Sequence, residues 1–270
     1  MSRASGSPLP FTAYALILGC AIFAPIAMIV VSATTAGTLV VFPPQGFSLR
    51  WYAAALASPD IRDALVFSAA TAGAVAVIAA AIGIPAAFAI DRGSFPGRAS
   101  VQGLLMAPMM LPHLVFAVAL LQVLATLRVP TSPSGVLIGH VVIAIPFVLR
   151  LSLAGLARVD RALERASYSL GASHLRTAVQ VTLPLAAPAF AAAAVMAFLV
   201  SFDETAISIF VALPGRTTLP ALIYEYATET TDPRILAAGS LMILLGFGVA
   251  IAAQRFFGLL TLLAGGTRST

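Results

Sequence analysis

The amino-acid sequence predicts an all-α, polytopic membrane protein with six transmembrane helices and one long polar loop. Of its 270 residues, 60% are hydrophobic and 9% are charged, whereas a soluble globular chain carries about 25% charged residues. The mean hydropathy is +1.02. Six apolar stretches each reach the roughly 20 residues that a helix needs to cross a bilayer. Together these observations exclude a soluble domain as the main body of the chain.

The predicted spans follow one another along the whole chain, and we expect them to form a single transmembrane domain over residues 1–270. The first apolar stretch is too long for the 7–15 residue core of a typical signal peptide, so we expect it to remain as a span. In the loop after it, Trp51 and Tyr52 favour a short helix at the membrane interface. Pro108, Pro112 and Pro146 are expected to bend the spans that contain them. The six spans are placed at residues 13–33, 64–90, 103–127, 135–157, 187–212 and 235–262.

The arginines predict the orientation, because loops on the cytoplasmic side of a membrane are enriched in basic residues. The chain has 15 basic residues, all of them arginine. With the N-terminus inside, ten lie on the cytoplasmic side and five, starting with Arg50, on the outer side. Both termini are therefore expected in the cytoplasm. The scattering of the arginines between apolar spans also argues against a nucleic-acid partner.

The polar loop over residues 158–185 carries helix-start and helix-end signals that a simple connection between spans would not need. Asp160 is suited to cap the start of a short helix, and Gly171 to end it in a left-handed conformation. A second short helix is predicted to begin at Ser173 and to run towards Pro184. One face of the first helix follows the i, i+3, i+4, i+7 spacing and carries Leu163, Ala166, Ser167 and Leu170.

This loop resembles the cytoplasmic coupling loop of permease subunits in bacterial ABC importers. The matching order is Glu-x-Ala-x-x-x-Leu-Gly-Ala-Ser, which begins at Glu164, and then Leu-Pro at 183–184. The usual glutamate six residues before the glycine is replaced here by Arg165, with Glu164 one place early. A Phe-Pro-Gly-Arg turn at 95–98 is also similar to the family. The resemblance implies that these residues contact an ATP-binding subunit: Glu164, Arg165, Ala166, Leu170, Gly171, Ala172, Leu183 and Pro184.

Two adjacent carboxylates in the fifth predicted span, Asp203 and Glu204, are the strongest polar feature within the membrane. Ionisable residues within a transmembrane segment usually face a cavity or a partner. They could attract a cationic solute, or they could be paired or solvated structural groups, and both interpretations stay open. The run from Ser201 to Glu204, with residues 215–220, resembles permeases of the spermidine and putrescine type. The candidate solute-path residues are Asp203, Glu204, His113 and Phe202, although for His113 a structural role is favoured.

Several chemistries are excluded by residue type. A phosphate-binding loop needs a lysine after its glycines, and the chain has none. The three histidines show no zinc-binding spacing. We therefore expect a transport protein and not an enzyme, with no cofactor of its own and with ATP and Mg on separate ATPase subunits.

The resemblance implies an ATP-driven importer of the bacterial inner membrane that moves a polyamine or another small cationic or organic solute inward by alternating access. It also implies three protein partners besides lipid: an ATP-binding subunit dimer, a second and usually different permease chain, and an extracytoplasmic solute-binding protein. The main alternative is an ion-coupled secondary transporter that uses Asp203 and Glu204. That class predicts inverted repeats, which are not visible in the sequence. An intramembrane hydrolase would lack a nucleophile with its base.

Overall fold

The computed structural model describes residues 9–213, 215–229 and 232–257. Helices account for almost all of the regular structure in these ranges, which confirms the predicted all-α class. A 3-10 turn at Ala107–Met110 and a π turn at Ala178–Thr182 join neighbouring helices. The α-helices are α1 Leu9–Ser32, α2 Arg50–Ala57, α3 Pro59–Arg92, α4 Arg98–Met106, α5 His113–Thr126, α6 Pro133–Leu156, α7 Arg161–Ser169, α8 His174–Thr177, α9 Leu183–Phe202, α10 Ala206–Val211, α11 Leu219–Glu229 and α12 Arg234–Phe257.

Within the described ranges, 5 helices are long and apolar enough to cross a membrane, or 6 if a bent pair counts as one span. This agrees with the predicted six-span membrane protein. The last part of the sixth predicted span, residues 258–262, lies outside the described residues. The five straight spans are Thr12–Ser32, Pro59–Arg92, Pro133–Leu156, His174–Phe202 and Arg234–Phe256.

The third predicted span, residues 103–127, is not one continuous helix. It consists of two helical segments, Arg98–Met110 and His113–Thr126, which meet at 106°. Leu111 and Pro112 are extended between them. Pro108 and Pro112 have no backbone N–H to donate and crowd the preceding turn, so the helix breaks here instead of bending gently.

The described residues pack as two compact units, and the first consists of residues 9–62 together with residues 225–229 and 232–244. Its short helix α2 confirms that a helix forms at Trp51 and Tyr52. The Trp51 indole and the Arg50 guanidinium both donate to the Gly37 carbonyl, at 3.0 and 2.7 Å. The Tyr52 hydroxyl lies 2.7 Å from Ser240 Oγ. These bonds fix α2 against the loop that precedes it and against α12.

The described part of the second unit, residues 63–213, 215–224 and 245–257, is built around α6. One buried cluster joins α6 to α3 and α9 through Val75, Val148 and Ala197, and another joins it to α5 and α10 through Leu124, Ile143 and Ile207. At Gly155 a Cβ atom would collide with the Cβ of Ala189 on α9. The missing side chain therefore lets α6 and α9, the two helices that flank the coupling loop, pack closely.

Candidate coupling surface and solute path

The first helix of the coupling loop, α7, has the two ends that the sequence predicts. Asp160 caps it by accepting from the Ala162 N–H at 2.8 Å. At the other end Gly171 has φ +86°, the left-handed region in which glycine is favoured. Gly171 N–H donates to the Tyr168 carbonyl and Ala172 N–H to the Ser167 carbonyl, at 2.9 and 3.1 Å. This pair of bonds is a Schellman motif, which ends a helix by satisfying its last carbonyls.

The second part of the coupling loop differs from the prediction. A helix does begin after Ser173, whose hydroxyl accepts from the Arg176 N–H. It does not end near Pro184, however, because helix continues from His174 to Phe202. Leu183 and Pro184 are the first residues of α9 and follow the π turn directly. The wider π turn makes room for the proline ring. Its i to i+5 bonds also satisfy backbone groups that the proline would leave without a partner in a regular α-helix.

Side chains across the glycine corner hold the two parts of the loop together. The hydroxyls of Ser167 and Thr177 lie 2.9 Å apart. The rings of Tyr168 and His174 meet edge to face at 4.8 Å. The loop is therefore a defined helix–corner–helix unit and not a flexible connection.

The predicted coupling residues divide into two groups. Leu170 is 89% exposed, and Arg165, Ala166, Gly171 and Pro184 are exposed as well. Leu163 and Leu175 add further exposed apolar side chains. Ala172 and Leu183 are half-buried. Glu164 alone of the set is turned inward, with 7% of its surface exposed.

The fifth predicted span, residues 187–212, is interrupted at the acidic pair. The helix α9 ends at Phe202 and α10 begins at Ala206, so Asp203 and Glu204 lie in a non-helical gap. The predicted span is therefore not one continuous helix at this point. Backbone groups at such a break need partners, and Glu204 supplies one, because its Oε1 accepts from the Ile207 N–H at 3.2 Å.

Two histidines on neighbouring helices contact residues on either side of this break. His113 Nδ1, at the start of α5, lies 2.6 Å from Glu204 Oε2. The fully buried His140 on α6 lies 2.9 Å from Ser201 Oγ, before the break, and 3.4 Å from Ser208 Oγ, after it. Sequence analysis considered His113 and Glu204 separately and missed His140. The partners lie 61 to 91 residues apart in the chain, and no local pattern indicates such a pairing.

The other predicted path residues occupy different environments. Phe202 is buried and stacks on Phe198 at 5.5 Å. Asp203 is exposed, and among the described residues no hydrogen bond or ion pair reaches its carboxylate. The structure thus separates the two adjacent acids: Glu204 is buried and hydrogen-bonded within this chain, whereas Asp203 is exposed beside it.

The family model for the binding-protein-dependent transport system inner membrane component matches residues 79–258. The chain belongs to this family. It is a multi-pass inner-membrane permease subunit of an ABC importer, and it is not an enzyme, since ATP hydrolysis in such importers belongs to a separate subunit.

Relatives and solved structures agree with this assignment. The chain is 31% identical over 210 residues to the spermidine/putrescine transport system permease protein PotC of Escherichia coli K12, covering 78% of this chain and 80% of the relative. It is 30% identical over 242 residues to the putrescine transport system permease protein PotI of the same strain, covering 87% and 86%. A bacterial alginate ABC transporter, solved with an alginate-pentasaccharide-bound periplasmic protein, matches with a TM-score of 0.68 at 16% identity, covering 91% of this chain and 93% of that one.

Proposed function

We propose that this permease subunit imports a small organic cation of the polyamine class. The observation that carries the proposal is the exposed Asp203 carboxylate at the break in the fifth span. A carboxylate that has no partner within the chain and lies at a break in a span can attract a positively charged solute. The names of the relatives PotC and PotI, which refer to spermidine and putrescine, support the same solute class.

The adjacent Glu204 has a different role in this proposal. Its two oxygens are engaged by the Ile207 N–H and the His113 ring. Glu204 therefore stabilises the backbone of the break and so keeps Asp203 at the end of α9. His113 acts on the solute path indirectly, by bonding to Glu204. Phe202, stacked on Phe198, forms the apolar wall behind the pair.

The transport cycle follows from the partners that such a subunit requires. Two ATPase subunits, which bind ATP and Mg, close on the exposed surface of the coupling loop and so reopen the spans towards the outside. An extracytoplasmic solute-binding protein delivers the cation there. A second permease chain of different sequence completes the path, because one subunit encloses half of it. Both termini and the coupling loop lie in the cytoplasm in this arrangement.

The proposal is tested by uptake of labelled putrescine and spermidine into proteoliposomes that hold the full complex. Asp203→Asn should lower uptake at subsaturating solute by about tenfold, which corresponds to roughly 1.4 kcal/mol of lost attraction. The matched control is Asp63→Asn, the same change at an exposed site on α3 outside the break. Glu204→Gln should instead weaken the folded complex, because Glu204 is buried and both of its carboxylate oxygens have hydrogen-bond partners.

Two results would contradict the proposal in different ways. Undiminished polyamine uptake by Asp203→Asn would remove Asp203 from the path. A wild-type complex that hydrolyses ATP in response to its binding protein, but accumulates no polyamine, would show that the solute class is wrong.

A further inference from the structure

Glu164 forms a buried polar cluster on the inner side of the coupling loop. Its Oε1 accepts from Arg92 Nε at 3.0 Å and from the Thr182 hydroxyl at 2.7 Å. Arg92 is the last residue of α3, and Thr182 is the last residue of the π turn. The carboxylate of one coupling-helix residue therefore joins three separate parts of the second unit.

Arg92 is itself held in place by further bonds. Its Nη2 donates to the Leu156 carbonyl at the end of α6, at 3.2 Å. It also pairs with the neighbouring Asp91. Arg161, the first residue of α7, donates to the Asp91 carbonyl at 2.9 Å. The cluster thus binds the end of α3 to the first turn of α7 and to the end of α6, the helix that precedes α7.

The connectivity of the chain indicates how movement of the coupling loop reaches the spans around it. The coupling loop is covalently continuous with α6 and α9, so any displacement of the loop reaches these two spans through the backbone. It has no such link to α3, whose end is reached by the side chains of Glu164 and Arg161. A buried ion pair adds little net stability over apolar packing, whereas its directional bonds fix the relative position of the elements that it joins.

We propose that Glu164 is a positioning residue for energy coupling: through Arg92 it makes α3 move with the coupling loop when the ATPase subunits close. The inference rests on the proposed function, since it presumes that the loop docks on an ATPase. It assigns Glu164 to the transmission of movement inside this chain, and the docking contact to the exposed residues around Leu170. Thr182 holds the Glu164 carboxylate in the orientation that Arg92 requires.

The test measures solute uptake per ATP hydrolysed in proteoliposomes, alongside co-purification of the ATPase. Glu164→Gln and Arg92→Gln should keep the ATPase bound but lower uptake per ATP by about fivefold or more, the usual lower range of coupling between sites. Arg92→Lys, which keeps a positively charged donor facing Glu164 and Asp91, should lose less of the ratio than Arg92→Gln. Thr182→Val should lower the ratio in the same direction by a smaller factor, and it keeps the test open if a charge variant fails to fold.

Glu225→Gln is the matched control, because it makes the same change at an exposed glutamate of α11, outside the coupling loop. It should change neither ATPase co-purification nor uptake per ATP. A merely structural role for Glu164 would lower the thermal stability and both rates together and leave the ratio unchanged, which would overturn the inference. A wild-type complex that binds no ATPase would instead contradict the proposed function.

Discussion

The backbone at Gly171 decides the direction in which the chain leaves α7. Its φ of +86° lies in the left-handed region, and a Cβ atom added there would meet nothing within 4 Å. Any effect of a substitution at this position therefore comes from backbone strain and not from a collision. Asp160 and Gly171 were predictable from the sequence, because capping depends on residue types within a few positions of the helix end.

Gly171→Val should turn the second part of the coupling loop away from its docking position. A branched residue in the left-handed conformation costs roughly 1–2 kcal/mol, and the corner can relieve that strain by rotating. ATPase co-purification and ATP hydrolysis should both fall, while the six spans still insert. Gly97→Val is the matched control, with φ +79° and equally open surroundings but a position in the 93–98 turn. Normal coupling in Gly171→Val, or an equal loss in both variants, would contradict a specific role for this corner.

Glu164 shows the limit of sequence analysis at the scale of single residues. The motif indicated that it belongs to the coupling loop, but not that it points inward. That orientation depends on Arg92, which lies 72 positions away in the chain. Asp203 and Glu204 illustrate the same limit, because neighbours in the sequence acquire different surroundings once His113 and the Ile207 N–H are in place.

At the scale of helices, close packing between α6 and α9 positions the two ends of the coupling loop. Their contact near the loop relies on Gly155, where a side chain would enter the space of Ala189. Substitutions at Gly155 and Ala189 therefore test whether α6 and α9 need to approach so closely.

Gly155→Ala should destabilise the subunit by about 1–3 kcal/mol, the usual effect of overpacking a core. Adding Ala189→Gly should recover most of that loss, since it returns the volume that the new methyl group occupies. Gly103→Ala, at a helical glycine with nothing within 4 Å, should be neutral or slightly stabilising. Thermal unfolding of the purified complex measures all three. Failure of Ala189→Gly to rescue would show that the α6–α9 contact is not the source of the effect.

The approximate number of spans was predictable, because hydrophobic length largely decides which helices can cross a bilayer. Their interruptions were not. Hydropathy carries no information about backbone direction. The segments that contain the 106° turn after Met110 and the gap after Phe202 were therefore each predicted as one continuous helix. The prolines pointed to a bend in the third span, whereas the gap in the fifth span depends on long-range contacts of His113 and His140.

At the scale of the whole molecule, the central claim is that the chain converts ATPase movement into transport through the 158–185 loop. This requires the loop to lie on the ATPase side of the membrane. The arginine distribution predicts that side as the cytoplasm and places the loop around Phe47 on the opposite one. Leu170 and Phe47 are 89% and 76% exposed, so either position accepts a probe without disturbing a core.

Cross-linking from these two positions tests the claim most directly. In a Cys20→Ser background, single cysteines at Leu170 and at Phe47 would carry a short thiol-directed photo-cross-linker in membranes that contain the whole importer. Leu170→Cys should form a covalent adduct with the ATPase subunit whose yield changes when ATP is added, and Phe47→Cys should form none with that subunit. An ATPase adduct from Phe47→Cys, or none from Leu170→Cys in an intact complex, would contradict the account.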